Sequence, residues 1–230
     1  MTELATTCFA SRAELDAALA TRLAAALCAP GAHAVMLSGG TTPMNAYRAL
    51  ARRPLPHDER LHVLFTDERY VPAGSPASNY HQSQELLQAL ALPQEELLRV
   101  RTELSLEAAA ADYERSLTTL LSSGIHVTLG LLGLGADGHT ASLFDAGDLE
   151  RARGRYALPV QRPDGMSAVS VSPEFLATVR EPVFVVAGAD KRESVRALLA
   201  RSPTLTAWRA VAGCARVELW MDQAAAPAPA

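Results

Sequence analysis

The chain reads as an α/β protein, a Rossmann-like three-layer α/β/α arrangement around a mainly parallel central sheet. Two observations predict this. Short apolar runs alternate with longer helical patterns through most of the 230 residues, the order that covers both faces of a parallel sheet with helices. Polar, glycine-rich segments follow the apolar runs at 38–43, 66–70, 133–140 and 187–191. In such a sheet these segments gather at the carboxyl edge, where ligands bind.

Taken in order, Ser11 caps an Ala/Leu-rich helix over about residues 13–29, closed by Pro30-Gly31. Residues 34–37 form a strand that stops at Ser38-Gly39-Gly40, and Thr42-Pro43 opens a helix to about Arg52 with proline at its first position. A strand over 61–65 ends at Thr66-Asp67-Glu68-Arg69. Helices are expected from Ser78-Asn79 to Leu90 and from the cap Ser105 to Leu121. A strand over 127–132 runs into the glycine-rich loop. A further strand over 182–187 precedes a helix from about Asp190 to Leu199, and 217–220 is a last strand. Residues 1–222 are expected to form one domain, and the Ala/Pro-rich 223–230 a disordered tail.

Hydrophobic residues make up 49% and charged ones 20%, ordinary for a globular protein, and 21 basic against 25 acidic residues give a net charge of −4. With no basic run, no nucleic-acid partner is expected. No uncharged apolar stretch reaches the ~18 residues of a membrane helix, so no membrane partner is expected either. Cys8, Cys28 and Cys214 form no CxxC pair or zinc spacing, and read as idle thiols in a reducing compartment. The start of the chain carries Glu3, Arg12, Glu14 and Asp16, unlike a signal peptide. The expectation is a cytoplasmic protein, a monomer or small homo-oligomer.

Four loops carry the candidate chemistry. Ser38-Gly39-Gly40-Thr41-Thr42 lies at a helix start, where free N–H groups, hydroxyls and close backbone approach suit a phosphate; the same residues also suit a tight turn with a hydroxyl cap. Asp67-Glu68-Arg69, with Ser78-Asn79 behind, either is solvated or uses Arg69 to hold an oxyanion or steady an acid. Gly133-Leu-Gly135-Ala-Asp137-Gly138-His139 satisfies the dinucleotide pattern GxGxxG, but no acidic residue ends a clear strand ~20 residues later, which argues against a nicotinamide cofactor. Asp137 two residues before His139 brings a carboxylate to an imidazole suited to proton transfer. His33, His57, His62, His81 and His126 are read as structural. Lys191, expected in the first turn of a helix, faces an unfavourable dipole that a bound anion would offset; a solvated lysine is the plainer alternative.

Together these segments resemble the 6-phosphogluconolactonase family, through Leu37-Ser-Gly-Gly-Thr-Thr-Pro43, Phe65-Thr-Asp-Glu-Arg69, Ser78-Asn79, Gly133 to Phe144 and Gly188-Ala-Asp-Lys191. The resemblance implies a fold shared with glucosamine-6-phosphate deaminases and hydrolysis of a sugar-phosphate lactone without metal or organic cofactor. It implies His139 as general base, oriented by Asp137, with Asp67 and Arg69 also catalytic. Ser38, Gly39, Gly40, Thr41, Thr42, Ser78, Asn79, Gly133, Gly135, Gly138 and Lys191 are implied to bind substrate or its phosphate. One departure stands out. Lactonases of this type usually carry an arginine where this chain has Ala168; either the nearby Arg162 substitutes for it or the phosphate rests on fewer donors.

Two other readings remain at this level. Amino-sugar-phosphate deaminases share the Asp-Gly-His core but tend to carry a glutamate where this chain has Phe144. A non-catalytic sugar-phosphate sensor would keep the fold without the chemistry. A serine hydrolase lacks its GxSxG elbow here.

Overall fold

Strands that are apolar on both faces must be covered on both faces, and that requirement organises the molecule. The structure, a computed structural model, describes residues 2–228. In chain order the elements are β1 (Glu3–Phe9), α1 (Arg12–Leu27), β2 (His33–Leu37), α2 (Met44–Ala51), β3 (Leu61–Phe65), β4 (Asp67–Arg69), α3 (Asn79–Gln82), α4 (Gln84–Leu90), β5 (Leu97–Leu98) and α5 (Leu106–Ser122). There follow β6 (Val127–Leu132), α6 (Ala146–Arg151), β7 (Ala157–Gln161), β8 (Ser167–Val171), α7 (Pro173–Leu176), β9 (Glu181–Val186), α8 (Arg192–Leu199), α9 (Thr206–Ala210) and β10 (Arg216–Asp222).

Seven strands form one sheet in the order β1-β10-β9-β6-β2-β3-β5, with every neighbouring pair parallel. Side chains alternate across it. Val35, Leu37, Val63, Phe65, Leu129 and Leu131 join α1, α2 and α4 in one apolar layer. Ala34, Met36, Leu64, Leu132 and Phe184 join α5, α7 and α8 in the other. The mainly parallel α/β/α architecture expected from the sequence is therefore present. From β2 the chain moves outward through β3 to β5, then returns to place β6 on the other side of β2. The strand order reverses between β2 and β6, which opens a crevice at their carboxyl ends.

Several expectations need correction. Asp67 to Arg69 is not a loop but β4, which pairs antiparallel with β8 in a second sheet, β4-β8-β7. The expected helix from Ser78 to Leu90 is two helices. It breaks at Ser83, whose Oγ donates to Asn79 O at 2.9 Å, a back-bond that competes with the helical pattern. Pro43 takes the cap position of α2 rather than its first turn. Residues 189–191 form a 3-10 turn, so Lys191 precedes α8 as its cap residue. At the far end Ala225 is fully buried, its N–H donates to Asp222 Oδ1 at 2.9 Å, and Arg192 Nε donates to Ala224 O at 2.8 Å. The expected tail thus begins as a packed turn; its last residues, 229 and 230, lie outside the described residues.

Candidate active site

The crevice holds a cleft of about 440 Å³ at the carboxyl edge of the large sheet. On one side the chain leaves β2 through Ser38 to Thr42. Buried Tyr47 of α2 anchors this exit: Ser38 N–H donates to the phenol oxygen at 3.2 Å, and the phenol donates back to Ser38 O at 2.9 Å. Gly39 must be glycine, because a Cβ there would stand 2.0 Å from Asn79 Oδ1. From the start of α1, Arg12 donates to Thr42 O at 2.8 Å and Thr41 O at 3.3 Å. Among the described residues no hydrogen bond uses the N–H of Thr41 or Thr42, so both remain available to an anion.

β3 delivers the second wall. Tyr113 of α5 bridges the backbone of Phe65 as Tyr47 does that of Ser38, accepting from its N–H at 3.1 Å and donating to its carbonyl at 2.5 Å. Beyond it, the buried Asp67 accepts from Thr66 Oγ1 at 2.9 Å and Ser142 Oγ at 2.7 Å. Arg69 donates to Ala77 O at 2.7 Å. Glu68, on the opposite face of β4, accepts from Ser78 Oγ, Asn79 N and Tyr80 N at 3.0, 2.7 and 2.8 Å. Burial raises its pKa above the usual value, opposed by those hydrogen bonds. Glu68 thereby clamps α3 and delivers Asn79 to the cleft.

The loop after β6 carries the Asp137–His139 pair. Gly135 N–H donates to His139 O at 2.9 Å and Gly138 N–H to Gly135 O at 3.0 Å, closing a tight turn. Within it His139 Nδ1 lies 2.5 Å from Asp137 Oδ1. A Cβ on Gly135 would stand 2.1 Å from that Nδ1 and 2.2 Å from that Oδ1, so the glycine makes the pair possible. Desolvation works to raise the Asp137 pKa, and the hydrogen bond and charge of His139 outweigh it, leaving the carboxyl below its usual range. The imidazole packs on Phe144 with ring centroids 4.4 Å apart. After β9, Asp222 holds Gly188 N–H at 3.1 Å, and Lys191 reaches the cleft with Asp190 Oδ2 3.5 Å from its Nζ.

Of the residues singled out in the sequence, Ser38, Gly39, Gly40, Thr41, Thr42, Asp67, Arg69, Asn79, Gly133, Gly135, His139 and Lys191 line this cleft. Three do not. Ser78 is buried away from it, bonded to Glu68 and capping His81 N. Asp137 is exposed behind His139, and Gly138, at φ +85°, serves the turn. Ala168 is fully buried in β8 between Arg69 and Val160, while Arg162 lines the cleft. Arg12 was missed; it is one of 21 basic residues and sits in no motif. Among the described residues no group of three or more His, Cys, Asp or Glu side chains is placed to hold a metal ion. No helix among them is long and apolar enough to cross a membrane.

An open parallel sheet with a cleft at its switch point, lined by Arg12, Arg69, Arg162 and Lys191, defines an α/β protein whose cleft has the chemistry to suit a small anion. A family model described as glucosamine-6-phosphate isomerases/6-phosphogluconolactonase matches residues 10–219. A 6-phosphogluconolactonase of Nostoc sp. is 35% identical over 188 residues, covering 79% of this chain and 78% of its own. The crystal structure of 6-phosphogluconolactonase from Thermotoga maritima matches with TM-score 0.80 at 26% identity, over 97% of this chain and 100% of that one. A monomeric glucosamine-6-phosphate deaminase shares the fold, with TM-score 0.79 at 18% identity over 97% and 98% of the two chains. The chain belongs to the glucosamine-6-phosphate isomerase/6-phosphogluconolactonase family.

Proposed function

We propose that this protein is a 6-phosphogluconolactonase, hydrolysing 6-phospho-D-glucono-1,5-lactone to 6-phospho-D-gluconate in the oxidative pentose phosphate pathway. The observation that carries this reading is the Asp137–His139 pair, set one strand away from the Ser38–Thr42 loop across the crevice. Its relatives named as lactonases support it.

A lactone is an activated ester, so a water polarised by a base suffices. Asp137 holds the proton on Nδ1 and leaves Nε2 to accept one from water. The hydroxide oxygen adds to the lactone carbonyl carbon, and Arg69 with loop N–H groups stabilises the oxyanion. The carbon–ring-oxygen bond then breaks, and the imidazolium returns its proton to the departing ring oxygen. The carboxylic acid formed ionises. Thr41, Thr42, Gly39, Gly40 and Lys191 hold the phosphate and so position the carbonyl. Asp67, held by Ser142, lines the cleft between them with Asn79. Both sheets contribute, consistent with residues 1–222 acting as one unit. Deaminases tend to carry a glutamate a few residues after the histidine; Phe144 stands there instead, packed on the imidazole. Three unpaired cysteines suit a cytosolic enzyme.

The test is a coupled assay on freshly generated lactone, corrected for spontaneous hydrolysis. Catalysed hydrolysis is expected, and His139→Ala should abolish it while largely sparing ligand affinity. Ammonia release from glucosamine 6-phosphate without lactonase activity would replace this reading with the deaminase one.

A further inference from the structure

Arg12 and Lys191 reach the cleft from the edge of the large sheet, whereas Arg69 and Arg162 rise from the small one. Arg162 begins the turn joining β7 to β8. Its carbonyl accepts from Gly165 N–H at 3.0 Å, and its N–H donates to Met166 O at 2.8 Å. Val160 pairs with Ala168, and Ala168 with Arg69. Because strand side chains alternate, Arg162 shares a sheet face with Val160, Ala168 and Arg69. Ala168 ends at Cβ, which leaves that face open for a long neighbour.

The guanidinium is held from three sides. Asp164 Oδ2 lies 3.0 Å from Nη2 and 3.2 Å from Nε, Ser142 Oγ accepts from Nη1 at 3.4 Å, and Cζ stands 5.2 Å from the Phe144 centroid. The same ring carries His139 at 4.4 Å. The Arg162 side chain is 13% exposed, against 24% for Lys191 and 36% for Arg12. A planar fork so withdrawn from water, one aromatic ring from the proposed base, is suited to grip an anion. Its carboxylate partner Asp164 is 44% exposed, on the solvent side of the turn.

We propose that Arg162 is a substrate-binding residue whose guanidinium holds an oxyanion of the ligand beside His139, with Asp164 positioning it for that contact. The identity of the ligand rests on the lactonase reading; the contact does not. The oxyanion has two sources, a phosphate ester or the carboxylate formed on ring opening, and a guanidinium accepts either.

The experiment measures binding of 6-phosphogluconate, inorganic phosphate and gluconate to the wild-type, Arg162→Gln and Asp164→Asn proteins, together with kcat and KM for the lactone. Arg162→Gln should weaken 6-phosphogluconate by about 10- to 100-fold, the loss of a charge-assisted hydrogen bond. Asp164→Asn should weaken it less. A loss carried over to phosphate alone identifies the ester as the partner, and one carried over to gluconate alone identifies the carboxylate. Thermal melting checks folding, and Arg162→Lys, which keeps charge without the fork, serves if the glutamine variant does not fold. Unchanged 6-phosphogluconate affinity and KM in a folded variant overturn the proposal. A wild-type protein that binds 6-phosphogluconate but hydrolyses no lactone overturns the proposed function instead, and the binding comparison still decides Arg162.

Discussion

His139 Nδ1 and Asp137 Oδ1 lie 2.5 Å apart in a turn closed by two backbone hydrogen bonds, so the carboxylate sets which ring nitrogen keeps its proton. An amide at 137 keeps the shape and loses the charge. Asp137→Asn should lower kcat by about 10²- to 10⁴-fold with little change in 6-phosphogluconate affinity. A variant with wild-type kcat would remove Asp137 from the mechanism.

Gly135→Ala tests the same pair without touching either member. The new Cβ has no room beside His139 Nδ1 and Asp137 Oδ1, so the ring must shift. Displacement of that order costs about 10²-fold in turnover. Gly74→Ala, like Gly135 without a positive φ but with open space around it, is the comparison that separates collision with the pair from the general cost of replacing a glycine.

Tyr47→Phe removes one hydroxyl that serves both backbone groups of Ser38. Leaving such buried groups unpaired costs about 1–3 kcal/mol, read as a lower urea midpoint. The loosened loop should also raise KM. Tyr113→Phe, which does the same to Phe65 on the other side of the sheet, should lose comparable stability with a smaller effect on KM.

Glu68 gives a dependence on pH. Its folded pKa is raised above the usual 4.5, chiefly by burial. The folded state therefore keeps the proton longer than the unfolded chain, and the unfolded state binds fewer protons in that window. Its contribution to stability is complete below 4.5 and declines as pH rises through the folded value. Urea unfolding of wild type and Glu68→Gln across this range should show the wild-type advantage shrinking as pH rises. An advantage that grows with pH would contradict the assignment.

Much of the large sheet was legible because β2, β3, β6 and β9 are short, mostly apolar runs ended by polar turns. β1 was not: Glu3 to Phe9 is an edge strand, half in solvent, whose Thr6, Thr7 and Cys8 are exposed and follow no apolar run. In the small sheet β4 escaped for a related reason. Asp67 to Arg69 is three polar or charged residues, and only its partner β8 makes it a strand. Ser78 was misplaced because an Ser-Asn pair at a helix start looks the same whether it faces a ligand or a buried glutamate.

Local patterning alone determined the α/β class, the loops at the strand ends and the Asp137–His139 spacing, because apolar periodicity and short-range turn chemistry are written in consecutive residues. Tertiary structure decided which cations join them. Arg12 from a helix start and Arg162 from a turn in a second sheet lie 150 positions apart, and only strand pairing and packing bring both to one cleft.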